Sequence, residues 1–135
     1  MIRSIVVSDG GAALERVTSS LRELDGVEIV RHLGWRRPPG PAIAALQPDL
    51  IFIDEPAWTA LPLAVIRDAR CAAPAAAVVV GATEPTVGWL ADALQAGATA
   101  VVPAVADEPT LGLVVHEALE TSETKREAVR LRWAA

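Results

Sequence analysis

The apolar positions of the chain switch repeatedly between two periods. Ile2 to Val7 is rich in β-branched residues and closes on Ser8-Asp9-Gly10-Gly11, a strand followed by turn residues. Leu14, Val17, Leu21 and Leu24 then recur at helical spacing, with Glu15, Arg16, Arg22 and Glu23 on the other face, and Asp25-Gly26 ends that helix. Val27 to Leu33 predicts a second strand. Gly34-Trp35-Arg36-Arg37-Pro38-Pro39-Gly40-Pro41 predicts an irregular loop, because proline and glycine sustain neither helix nor ladder. A short helix over Ala42 to Leu46 and a third strand over Leu50 to Ile53 follow.

After Pro56 a helical pattern runs to about Ala72, with Pro62 near its start and Leu61, Val65 and Ala69 on one side. Ala75 to Val80 predicts a fourth strand. Glu84 to Gln95 is amphipathic through Val87, Leu90 and Leu94, and Gly97 suits its C-terminal cap. Thr99 to Val102 predicts a fifth strand. Asp107 is a candidate N-cap for a last helix whose stripe is Leu111, Val114, Val115, Ala118 and Leu119. Strands that read as apolar runs are buried on both faces, so five of them alternating with helices predict a doubly wound parallel α/β sheet. Beyond Thr121 the sequence turns polar before Ala128, Val129, Leu131 and Trp133. This divides the chain into a domain over 1–121 and a helical C-terminal extension or linker over 122–135.

Composition narrows the class. At 135 residues, 52% hydrophobic and 21% charged, the chain suits one packed domain. A net charge of −5 with scattered basic residues argues against nucleic-acid binding. No apolar run approaches the roughly 20 residues needed to span a bilayer, and Met1-Ile2-Arg3-Ser4 lacks a signal-peptide pattern. A single cysteine, Cys71, excludes an internal disulfide and favours a reducing compartment, so a cytoplasmic protein is expected. Cys71 reads as a small packed residue, and His32 and His116 as scaffold residues without ligand spacing. G-x-S-x-G, G-x-G-x-x-G and Walker patterns are absent, and no enzymatic activity is expected.

In an open parallel sheet, sites form at the carboxyl ends of the strands where strand order reverses. The residues at those ends are Ser8 and Asp9, His32, Asp54 and Glu55, Ala82 and Thr83, and Pro103 and Ala104. Only the first and third ends carry acids. Asp9 and Asp54 become neighbours if strands one and three are adjacent, and two close carboxylates suit a hard cation such as Mg²⁺. The plainer roles are a solvated strand-end acid for Asp54 and a helix N-cap for Asp9.

The strand Ile5-Val6-Val7 ending in Ser8-Asp9, the segment Pro48-Asp49-Leu50-Ile51-Phe52-Ile53-Asp54, and Ala93-Leu94-Gln95-Ala96-Gly97-Ala98 carry a resemblance. Across roughly residues 2–120 the chain resembles the receiver domain of bacterial response regulators. The resemblance implies a (βα)5 flavodoxin-like, CheY-like three-layer sandwich. It implies that Asp54 stands at the phosphoacceptor position, served by a histidine kinase. It also implies Mg²⁺ as the cofactor, held by Asp9, Asp54 and the backbone carbonyl of Pro56, with Ser8 replacing a further acid. Other positions depart from the pattern. A hydroxyl is implied at Ala82, with Thr83 one step late; an aromatic at Val101; a lysine at Ala104; and a proline at Trp58. The chain's one lysine is Lys125, so shifting the fifth strand cannot restore that cation.

The sequence therefore resembles a degenerate receiver, or pseudo-receiver. The expected function is a signalling module of two-component type that works through protein contacts, with weak or no phosphorylation at Asp54. Its partners would be a histidine kinase or an output domain, and a second copy through the face of the fourth helix, fifth strand and fifth helix, where Trp89 is a candidate anchor. One alternative is a functional Mg²⁺-dependent phosphoacceptor using Asp54 and Asp9. Another is a small-molecule-binding regulatory domain whose strand-end crevice is lined by Trp35 and Trp58.

Overall fold

The computed structural model describes residues 2–8, 12–34, 37–54, 63–83, 86–103 and 108–134. The strands are β1 (Ile2–Val7), β2 (Val27–Leu33), β3 (Leu50–Asp54), β4 (Ala77–Ala82) and β5 (Ala100–Pro103). Alternating with them are the helices α1 (Ala12–Arg22), α2 (Gly40–Leu46), α3 (Leu63–Ala72), α4 (Val87–Ala96) and α5 (Glu108–Ala134). All strand pairs are parallel, in the order β2-β1-β3-β4-β5. This is the doubly wound, flavodoxin-like three-layer sandwich expected from the apolar-run strands.

Each face of the sheet carries its own core. Ile5, Val7, Ile51, Ile53, Val78 and Val80 pack under α2, α3 and α4 through Ile43, Val65, Ile66, Ala69 and Ala93. On the opposite face Val6, Leu50, Phe52, Val79 and Val102 meet Val17 and Leu21 of α1 and Leu111, Val115 and Ala118 of α5. Neighbours in one strand thus go to opposite cores, as a period of two requires. β3 and β4 are buried along their whole lengths.

β2 is an edge strand, and its exposed Glu28, Arg31 and His32 keep that edge from pairing further. The β1–β2 register shifts between Ser4 and Ile5, leaving Val30 as an extra residue. This bulge changes the phase of β2, so Val30 and Leu33 join the same core despite their odd spacing.

Several boundaries differ from those expected. α2 begins at Gly40, inside the expected loop, because Pro41 is acceptable in a first helical turn and the Gly40 N–H finds Asp68 Oδ2 at 2.8 Å. β4 runs Ala77–Ala82 rather than Ala75–Val80, since Gly81 still pairs with Asp54 across the sheet. α4 begins at Val87 rather than Glu84: Thr86 is its N-cap, and its side chain accepts the Trp89 N–H at 3.1 Å. α4 ends at Gly97, as expected, with φ 125°. Cys71 is exposed, not packed, because α3 buries Val65, Ile66 and Ala69 instead. Leu61, Pro62 and Asp107 lie outside the described residues.

Candidate functional site

Strand order reverses between β1 and β3, so the crevice of this sheet opens where those two strands end. The Val7–Ile53 pairing sets Ser8 level with Asp54 at the two neighbouring ends. Both residues are buried, Ser8 to 2% exposure and Asp54 to 4%. The Ser8 N–H donates to the Leu33 carbonyl at 2.9 Å. Its own carbonyl accepts from His32 Nε2 at 3.2 Å, so that ring nitrogen carries the proton. His32 therefore serves the β1–β2 junction.

Asp54 is the last residue of β3 and follows Ile53 onto the opposite face, the one covered by α1 and α5. There it meets Gly81: a Cβ on that glycine would lie 3.2 Å from Asp54 Oδ1 and 3.3 Å from Phe52 Cζ. The absence of a side chain at 81 makes room for the carboxylate. A cavity of ≈ 20 Å³ opens beside them, lined by Arg16, Val17 and Ser20 of α1, Phe52, Asp54, Gly81, Val102 and Pro103 of the strands, and Leu111 of α5. That volume admits about one water molecule.

Among the described residues, the ends of β4 and β5 bring no reactive group to this cavity. Ala82 is buried, and the period of two aims it away from the Asp54 face. Thr83 lies past the end of β4 and is exposed. Val101 packs into the core under α3 and α4, while β5 ends on Pro103. Asp9, Pro56, Ala104, Trp35 and Trp58 lie outside the described residues. Described walls thus contribute one carboxylate, Asp54, and one cation, Arg16. Among the described residues no group of three acidic, histidine or cysteine side chains could hold a metal. The described lining offers the Asp54 carboxylate and the Ser20 hydroxyl as oxygen ligands, and Asp9 and Pro56, the other expected Mg²⁺ ligands, lie outside the described residues.

Trp89 is half-buried and packs against the core beneath α2, α3 and α4. The exposed large apolar residues of the described α4 and α5 are Val87 at 85%, Leu94 at 52% and Leu113 at 59%. Sequence reasoning missed Arg16 as a site residue, having placed it on the polar face of α1. Its position two turns from Leu24 carries no signal of what it lines; that depends on how α1 lies across β3.

No protein-family model matches the sequence. No curated protein matches it either. Solved structures share the fold. A two-component response regulator of the LuxR family from Aurantimonas superposes with a TM-score of 0.79 at 17% identity, covering 90% of this chain and 86% of that one. The response regulator domain of CheB from Thermotoga maritima gives 0.74 at 17% identity, with 89% and 97% covered. A CheY-like response regulator receiver domain protein from Methanospirillum hungatei gives 0.73 at 18%, with 93% and 98% covered. The chain therefore has the CheY-like fold. Among the described residues no helix is long and apolar enough to cross a membrane.

Proposed function

We propose that this chain is a cytoplasmic, non-enzymatic receiver-like domain of a two-component-type regulator, acting through protein contacts with weak or no phosphorylation at Asp54. The observation that carries this reading is the setting of Asp54. It is 4% exposed at the switch point of a CheY-like sheet, and the adjoining strands end in Gly81-Ala82 and in Pro103. Phosphoryl transfer needs developing charge to be met by cations and fixed donors. Neither a hydroxyl nor an ammonium reaches the Asp54 cavity from these two strands, and its ≈ 20 Å³ is closer to a water than to a phosphoryl group. The crevice of the small-molecule reading, lined by Trp35 and Trp58, lies outside the described residues.

Output through contacts draws support from α4. Val87, Ala91 and Leu94 lie on successive turns of one exposed face, and Leu113 of α5 is exposed as well. We assign that surface, rather than the half-buried Trp89, to association with an output partner or a second copy. We take the domain to cover 1–121 and the remainder of α5 to be a helical extension or linker.

The test is incubation with acetyl phosphate and Mg²⁺, read by intact mass. Little or no adduct is expected on the wild type. A stoichiometric, Mg²⁺-dependent adduct that disappears in Asp54→Asn would overturn the reading. Sedimentation over a range of concentrations should show association that Leu94→Glu abolishes.

A further inference from the structure

Charge is divided unevenly along the chain. Between Arg70 and Lys125 the sequence carries acids but no lysine or arginine, a stretch that includes β4, α4, β5 and most of α5. α4 and α5 flank the edge strand β5 from opposite faces of the sheet. Their exposed sides carry the apolar Val87, Leu94 and Leu113 together with Asp92 and Glu117. Asp92 and Glu117 form no ion pair among the described residues, and His116 already faces Glu120, Nε2 to Oε1 at 3.1 Å.

The missing cations belong to the far end of α5. The buried stripe of that helix, Leu111, Val115, Ala118 and Ser122, is spaced by four, three and four residues. Continued at the same spacing it reaches Lys125, Val129 and Arg132, so the register that is apolar against the sheet turns cationic beyond it. Arg126 and Arg130 add to the charge of this end, and Trp133 to its apolar content. α5 is one helix of 27 residues, about 40 Å at 1.5 Å per residue, whereas the 6 residues of β4 span about 20 Å. Its last turns therefore outrun the sheet, and one unbroken helix cannot turn back onto α4 of its own chain.

We propose that the basic end of α5 docks on the acidic, apolar-ridged surface of α4, β5 and α5 of a second copy, in a reciprocal twofold exchange. This rests on reading that surface as the contact surface of the domain and adds what occupies it. Charge decides between the two ways of pairing copies. Face against face, the acids of both copies would be brought together, and like charges oppose association. With the end of α5 against the face, Lys125, Arg126, Arg130 and Arg132 meet Asp92 and Glu117, while Val129 and Trp133 have Val87, Leu94 and Leu113 to cover. A twofold exchange makes that contact twice and closes, leaving no open surface from which a chain of copies would grow.

The test is sedimentation equilibrium of the full chain. The wild type should dimerise, and raising salt from about 0.05 to about 0.5 M should weaken the dimer by screening its exposed charges. Reversing the end of α5 (Lys125→Glu, Arg126→Glu, Arg130→Glu and Arg132→Glu together) should raise the dimer Kd by about tenfold or more. Reversing the face (Asp92→Lys with Glu117→Lys) should do the same. Asp92 and Glu117 are exposed, so the face-reversed variant should keep the wild-type circular dichroism. Mixed one to one, the two variants should form a mixed dimer about as tight as the wild type, because each acidic end then meets a basic face and each basic end an acidic one. A wild type that stays monomeric, reversed variants that dimerise as the wild type does, or a mixture no tighter than its components would each overturn the proposal. Dimerisation abolished by Leu94→Glu yet indifferent to both reversals would also overturn it, while leaving the contact-based reading of the domain standing.

Discussion

Arg70 Nε donates to the Gly97 carbonyl at 2.9 Å, and a Cβ on Gly97 would stand 2.6 Å from Arg70 Cβ. The two residues lock the end of α3 to the end of α4. Arg70 also donates to the Ala76 carbonyl at 2.6 Å, the Pro74 carbonyl at 3.0 Å and Thr99 Oγ1 at 3.1 Å. One side chain thus ties together the α3–β4 turn, the α4–β5 turn and the start of β5.

Arg70→Ala should lower stability by about 2–3 kcal/mol, because several carbonyls, two of them part-buried, lose a charged donor at once. Arg70→Lys should recover less than half of that, since one ammonium cannot reproduce the fork. Burial pushes the Arg70 pKa down, which favours the uncharged form in the native state. The resulting pH dependence is confined to strongly alkaline solution, where arginine first titrates. Urea denaturation of both variants should therefore give the same deficit at about pH 6 and about pH 8.

Gly97→Ala tests the other half of the lock. The residue sits at φ 125°, where side chains are strained, and the added methyl would meet Arg70 Cβ and Cγ at 2.6 and 2.7 Å. Strain and overpacking together should cost about 3 kcal/mol. Gly34→Ala is the control, with nothing within 4 Å of its added Cβ; it should shift stability by less than about 0.5 kcal/mol.

Asp68 of α3 accepts the Gly40 N–H that opens α2, a cap supplied from a different helix. Asp68→Ala should cost about 1–2 kcal/mol and Asp68→Asn less than about 1, since the amide oxygen still accepts. Gly40→Ala should weaken the same link, because its Cβ would come within 2.6 Å of Asp68 Oδ1. Hydrogen exchange should localise all three effects to the start of α2.

What the sequence discloses here follows from which interactions are local. Leu50 to Ile53 could only be a doubly buried strand, and Asp54 at its end marked the rim of the sheet, so strand, face and candidate acid were all legible. The start of α4 was misplaced at Glu84 by the helical pattern, whereas Thr86 caps the helix by accepting the Trp89 N–H. The start of α2 was not, because the partner that stabilises it, Asp68, lies 28 residues away. Arg16 was hidden for the same reason. A heptad pattern reports that it avoids the core of α1, yet only the packing of α1 over the sheet reports that it lines the same cavity as Asp54.

Gly81 and Asp54 supply the sharpest check on that packing. They are partners across β3 and β4, and a methyl at 81 would lie 3.2 Å from Asp54 Oδ1 and 3.3 Å from Phe52 Cζ. Contacts this tight require the carboxylate or the ring to give by a few tenths of an ångström. The ring is held by the core on the α1 and α5 face, so the carboxylate is the group that shifts. Gly81→Ala should therefore cost about 1–2 kcal/mol in the wild type. In an Asp54→Ala background the vacated space should absorb the methyl and cut that cost by at least about 1 kcal/mol, a coupling expected of residues in direct contact. A double-mutant cycle by urea denaturation measures it. Additive effects would mean that Asp54 does not lie over Gly81, and the description of the cavity would then be wrong at its centre.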